Sequence, residues 1–167
     1  PTAYWRGVGA THNVWVVESF IDELAATAKQ DPVKYRRALL EKAPRMRAVL
    51  DLAASKANWG QAGKAPQGRR FGRGISVQFA FGSYMAQVAE VSVDESGEVQ
   101  VHRVVCAVDC GQVINPDTVV AQIESGVIFG LSAALWNEIT LAKGRVQQSN
   151  FHDFRVMRIN EAPPIVV

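Results

Sequence analysis

Cysteine, histidine and methionine are all scarce in this 167-residue chain, with two, three and three copies respectively. Cys106 and Cys110 have three residues between them, the first inside a β-rich segment and the second at its end. Side chains placed this way tend to face different directions, so no disulfide is expected. Two thiolates without further ligands make neither a zinc site nor an iron–sulfur cluster. Cys106 reads as a small buried hydrophobe. His12 and His102 have no carboxylate or cysteine cluster around them at ligand spacing, which argues against a metal held by protein side chains. Net charge is slight: 18 Lys and Arg against 16 Asp and Glu give +2, too little to point to nucleic acid or a membrane surface. No apolar run approaches the ~20 residues of a transmembrane helix and no signal peptide is visible, so no membrane insertion is expected.

What is present suits a packed core. Apolar residues make up 48% of the chain, and its length fits one domain, for which ~150 residues is usual. The chain starts at Pro1, and Glu161-Ala162-Pro163-Pro164-Ile165-Val166-Val167 reads as a strand just beginning. It is therefore read as a piece of a longer polypeptide, which leaves its compartment open.

Apolar spacing predicts a helix from about Asn13 to Lys29 through Val14, Val17, Phe20, Ile21 and Leu24. Asp31-Pro32 opens a second helix, and a third runs from Pro44 to about Ala57. Residues 58–74 are rich in Gly, Lys and Arg and read as an exposed connection, with Lys64, Arg69, Arg70 and Arg73 solvated. From Gly74 the character changes. Ile75–Phe81, Tyr84–Val93 and Val99–Val108 read as strands, with a turn at Asp94-Glu95-Ser96-Gly97. In the last strand Val99, Val101 and Val105 share one face and Val104, Cys106 and Val108 the other. Asn115 as N-cap and Pro116 at the first helical position start a long helix to about Trp136. A hairpin follows, Glu138–Leu141 with Arg145–Gln148. The fold class is α+β: N-terminal helices (1–57), the connection (58–74), then a mixed or antiparallel sheet with a long packed helix (75–167).

Three segments attract chemical interest. In Trp5-Arg6-Gly7-Val8-Gly9 a Gly-x-Gly pair beside an arginine precedes a helix and can present N–H groups to an anion. The alternative is a tight turn, with Asn13 capping the helix. In the long helix, Gln122, Ser125, Gly126 and Gly130 interrupt an apolar surface, and a mid-helix Gly costs about 1 kcal/mol relative to Ala. Either another helix packs tightly there or something else approaches the backbone. A buried Gln122 needs a polar partner, which a neighbouring loop or a heteroatom-rich cofactor could supply. In Ser149-Asn150-Phe151-His152-Asp153-Phe154 an acid–base pair competes with a polar strand whose neighbouring side chains point opposite ways.

Taken in order, residues 4–13, Glu18–Ala25, Gly82–Val91, Asp109–Leu131 and Ser149–Phe154 resemble one family across essentially the whole chain. It is the large, molybdopterin-binding subunit of isoquinoline 1-oxidoreductase, in the xanthine dehydrogenase and aldehyde oxidase superfamily. The match is to the C-terminal part of that subunit, a fragment of the cofactor-binding domain. The resemblance implies a molybdenum-pyranopterin cofactor, in bacterial members commonly the molybdopterin cytosine dinucleotide. It implies hydroxylation of an N-heterocycle or aldehyde carbon with oxygen from water. Electrons would leave through 2Fe-2S clusters on a small partner subunit, in the bacterial cytoplasm or periplasm.

By the same resemblance Gln122 matches the helix glutamine that hydrogen-bonds the pyranopterin. Arg6, Gly7 and Gly9 match the loop beneath the molybdenum, and Val8 stands where some relatives set an aromatic against the substrate. Two departures stand out. Ser125 occupies a position that is usually Gly, and the Gly-Val-Gly-Glu stretch bearing the catalytic Glu, expected beyond Val167, is absent, as is the Gly-Gln loop that grips the cofactor from another segment. The chain is therefore expected to hold part of a cofactor wall and no catalytic residue, and to be inactive alone. A non-catalytic module that kept the fold, or a small nucleotide-binding domain using Arg6–Ala10, are the other readings.

Overall fold

Three of the four helices start where the sequence places them, and one does not. In the computed structural model, which describes residues 3–167, α2 (Pro32–Leu39) is capped by Asp31, whose carboxylate accepts from Val33 N and Lys34 N at 2.9 and 3.0 Å. Asn115 likewise caps α4 (Pro116–Leu135), accepting from Thr118 N at 3.2 Å. The exception is α1 (Val8–Thr27). It begins five residues before the expected Asn13, with Gly7 at its N-cap, so Asn13 lies inside the helix and does not cap it. A turn closed by Val8 N donating to Trp5 O at 2.9 Å starts the helix early.

The core is a sheet in the order β1-β2-β3-β6: β1 (Arg70–Ala80), β2 (Ser83–Val93) and β3 (Val99–Asp109) run antiparallel, and β6 (Ile165–Val166) is parallel to β3. Registers Ile75↔Val88↔Val105 and Val77↔Ala86↔Ala107 line up apolar rows across three strands. Helix α3 (Pro44–Lys56) lays Val49, Leu50, Ala53 and Ala54 on that face, its alanines letting the helix sit close. Helix α4 covers the other face with Ile123 and Val127 against Val104 and Cys106. β3 is thus buried on both sides, which is why its end is apolar on both faces.

Several expectations need correction. Val101 packs with Val104 and Cys106, not with Val105. The register jumps from Glu90↔Arg103 to Val91↔Val101, so His102 is an extra residue, and such a bulge reverses the alternation beyond it. β1 begins at Arg70, so the connection ends there. Its basic residues are not all solvated: Arg69 donates to Ser92 Oγ and pairs with Asp94, while Arg73 pairs with Glu90 and lies over the Trp59 and Phe71 rings. The late hairpin shrinks to β4 (Leu141–Ala142) and β5 (Arg145–Val146). Residues 149–153 form a turn and not a strand, because Asp153 accepts from Ser149 N and Asn150 N. Finally, α4 is long and apolar enough to cross a membrane by length and composition alone, although no unbroken apolar run of that length occurs in it. It holds the sheet by a narrow stripe, and most of its surface is uncovered.

Candidate functional site

The turn before α1 is built around one glycine. Gly7 has φ 88°, and a Cβ there would lie 2.0 Å from Thr11 Oγ1, the hydroxyl that donates to Arg6 O at 2.9 Å. Both backbone and space therefore demand Gly. At Gly9 a Cβ would meet only Asn13 Nδ2, at 3.7 Å, so nothing among the described residues requires that glycine. Val8 lies between them at φ 49°, a conformation β-branched residues rarely adopt.

This turn lies against α4. The Arg6 guanidinium donates to Ser125 Oγ at 3.0 Å and to Gln122 Oε1 at 3.3 Å, and lies 5.7 Å from the Phe129 ring centroid. Trp5 stacks on Phe129 at 4.7 Å. Positions 122, 125 and 129 form one stripe of a helix, so consecutive residues of the turn hold a single face of α4. The structure therefore brings Arg6 and Gln122 together across 116 residues of sequence. Gln122 is exposed among the described residues, not buried as its apolar surroundings suggested.

The glycines of α4 resolve between the two expectations set for them. A Cβ on Gly130 would meet nothing within 4 Å, and one on Gly126 only Arg6 Nη2 at 4.0 Å. No other helix packs there, so tight helix packing is not their reason among the described residues.

Gln122 also borders a cleft of about 430 Å³ formed by α4, the ends of β2 and β3, and the loop between β3 and α4. Cys110, Asn115, Ser83 and Thr118 line it alongside Met85 and Ile114. One wall is fixed by Asp109, whose carboxylate accepts from Arg45 Nε and Nη2 at 2.8 and 2.7 Å and from Gly111 N at 3.1 Å. The Arg45 hydrogen bonds, with that amide, hold the Asp109 carboxyl down to about 2. Sequence reasoning missed Arg45, because nothing local links residues 64 positions apart.

The other candidates do not converge here. His152 Nε2 is 3.5 Å from Asp153 Oδ2, so the two side chains do meet, but the carboxylate serves the Ser149 and Asn150 amides, which lower its pKa. Burial pushes the Cys106 thiol up to about 11. Among the described residues no three His, Cys, Asp or Glu side chains cluster as a metal-ligand set.

Comparison with known proteins adds to this geometry. A family profile described as a molybdopterin cofactor-binding domain matches residues 16–163, which include Gln122 but not Arg6–Gly9. The chain is 38% identical to the beta subunit of isoquinoline 1-oxidoreductase from Brevundimonas diminuta, over 98% of this chain and 21% of that protein. It is 36% identical to a nicotinate dehydrogenase subunit of Pseudomonas putida, over 99% of this chain and 15% of that protein. It is 30% identical to a membrane-bound aldehyde dehydrogenase (pyrroloquinoline-quinone) of Gluconacetobacter polyoxogenes, over 95% of this chain and 22% of that protein. The chain thus spans about a fifth or less of the length of these relatives.

Proposed function

Because the chain belongs to the molybdopterin cofactor-binding domain family, we propose that it forms part of the cofactor wall of a molybdenum hydroxylase. Gln122 and the Arg6–Gly9 turn would be adjacent sides of the pyranopterin pocket. The observation that carries this reading is the Arg6 guanidinium seated on Gln122 and Ser125, which sets a glycine turn and an amide-bearing helix side by side. The residues fit such a group. The Gln122 amide nitrogen has no hydrogen-bond partner among the described residues, and the α4 backbone at Gly130 is open to close approach. When bound, the cofactor supplies transfer of water-derived oxygen to an electron-poor carbon of an N-heterocycle or aldehyde.

The residues of this chain bind and orient. Gln122 would donate an N–H to an acceptor on the pterin. Gly7 and Gly9 would keep the backbone thin where the cofactor approaches, and Val8 would line the substrate side. Among the described residues the cleft beside Gln122 is lined by no carboxylate or histidine. The bound form would be the cytosine dinucleotide, electrons would pass to 2Fe-2S clusters on a small partner subunit, and these 167 residues alone would not turn over.

The test is cofactor analysis of the full-length polypeptide that carries this segment, purified with its partner. Molybdenum near one atom per polypeptide, released cytosine nucleotide and hydroxylation of a quinoline-type substrate are expected. Pyrroloquinoline quinone in place of molybdenum, or neither, overturns the reading. Hydroxylation by the isolated 167 residues overturns the claim that they are incomplete.

A further inference from the structure

Resting on that reading, we infer that Arg6 is a positioning residue for Gln122: it dictates which end of the amide faces the cofactor. A guanidinium has five N–H donors and no acceptor. Whatever approaches Arg6 within hydrogen-bond distance must therefore present an acceptor. Gln122 can satisfy that only by turning Oε1 toward Arg6 Nη2, at 3.3 Å. Its N–H₂ is then left for the other side, where it has no partner among the described residues. An unconstrained glutamine could offer either end, and would lose on average part of its affinity to the wrong rotamer.

Arg6 is itself held. Nη1 donates to Ser125 Oγ at 3.0 Å, and the guanidinium carbon lies 5.7 Å from the Phe129 centroid, with Trp5 stacked on the same ring at 4.7 Å. Gly126 leaves room for it, since even a Cβ there would stand 4.0 Å from Nη2. Ser125, Gln122 and Phe129 thus form a seat that fixes Arg6. The bound group is consequently required to present a lone pair, from a carbonyl oxygen or ring nitrogen, to Gln122 Nε2. One N–H of each Arg6 terminal nitrogen is committed to α4, which fixes the guanidinium against Ser125 and Gln122.

The experiment uses the full-length polypeptide with its partner and reads molybdenum retained per polypeptide after dialysis, beside the thermal midpoint. Arg6→Gln replaces a donor-only head by one that can also accept, so the orientation is no longer forced. Affinity for the cofactor is expected to fall about ten-fold, the scale on which outer-shell partners act. Arg6→Lys keeps a donor-only head and is expected to restore most of the retention. Ser125→Ala, which leaves every charge in place, is expected to give an intermediate loss. Gln122→Glu keeps an acceptor for Arg6 but removes the donor, and is expected to lose molybdenum with no fall in the midpoint.

Wild-type retention in Arg6→Gln overturns the inference and leaves Arg6 as a structural tie between α1 and α4. If Arg6→Gln does not accumulate, Ser125→Ala and Arg6→Lys decide: loss in the first with retention in the second supports the inference, and wild-type retention in Ser125→Ala removes it. Absence of molybdenum from the wild-type protein would instead remove the proposed function beneath it.

Discussion

Arg36 is the residue on which the helical layer depends. It is 1% exposed and makes four hydrogen bonds: to Glu18 Oε2, Asp22 Oδ1, Pro32 O and Glu18 O. Glu18, 8% exposed, also accepts from Val77 N at 2.9 Å and so ties α1 to the outer strand of the sheet. Removing one partner of a buried pair strands the other. Arg36→Met is therefore expected to cost about 3–5 kcal/mol in a urea titration of the chain. The two cysteines differ as sharply. With its thiol pushed up to about 11 and its side chain under α4, Cys106 is expected to resist iodoacetamide at pH 8, while half-buried Cys110 at the cleft reacts. Peptide mapping of the alkylated native protein checks this; equal labelling would mean that α4 does not stay on the sheet.

Helix α4 and the β3–α4 loop each carry a feature with a measurable consequence. A glycine inside a helix costs about 1 kcal/mol relative to alanine, and nothing among the described residues occupies the space beside Gly130. Gly130→Ala is accordingly expected to raise the stability of the isolated chain by about 1 kcal/mol, measured by chemical denaturation. In the full-length protein the same change should reduce molybdenum retention if the helix backbone is approached there. The loop is clamped by Arg45 and Asp109. The Asp109 carboxyl titrates near 2 when folded, against ~3.9 in an unfolded chain. A depressed folded pKa contributes stability that is present above the unfolded value and lost as pH falls through the folded one. The clamp is thus expected to hold at neutral pH and to fail between roughly pH 4 and pH 2. Asp109→Asn should flatten that part of the stability profile, and hydrogen exchange at Gly111 reports the loosening directly.

At the scale of the whole molecule the surface is too large for a protein of this mass. An 18.2 kDa chain exposing 11399 Å² exceeds the about 8,100 Å² typical of a folded monomer. Much of the excess is apolar: Trp15 and Phe20 on α1, Ile114 and Phe81 near the cleft, and Ile159 all stand in water. Large apolar side chains exposed in this number favour contact with something else. The isolated chain is expected to bind anilinonaphthalene sulfonate and to self-associate at micromolar concentration in light scattering. Trp15→Glu combined with Phe20→Lys should reduce both, whereas a monodisperse, dye-silent wild type would contradict the surface reading.

How much was legible in the sequence follows from range. Apolar periodicity, the Asp31-Pro32 and Asn115-Pro116 caps, and β-branched runs act within a few residues, so the α+β order of elements could be read from them. The unusual composition of α4 also singled out Gln122, which the fold leaves outside the core and against Arg6. Nothing local could show that Gln122 is exposed, that His102 inserts a bulge which moves Val101 to the other face, or that α1 starts at a left-handed Gly7. The candidate site itself is a meeting of residues 116 apart, and the Arg45–Asp109 clamp spans 64. The sequence alone determined which segments become helix or strand, because those choices are made by neighbours along the chain. Only the tertiary structure decided that Arg6 reaches Gln122, because that contact exists only once α1 and α4 are held together in the folded chain.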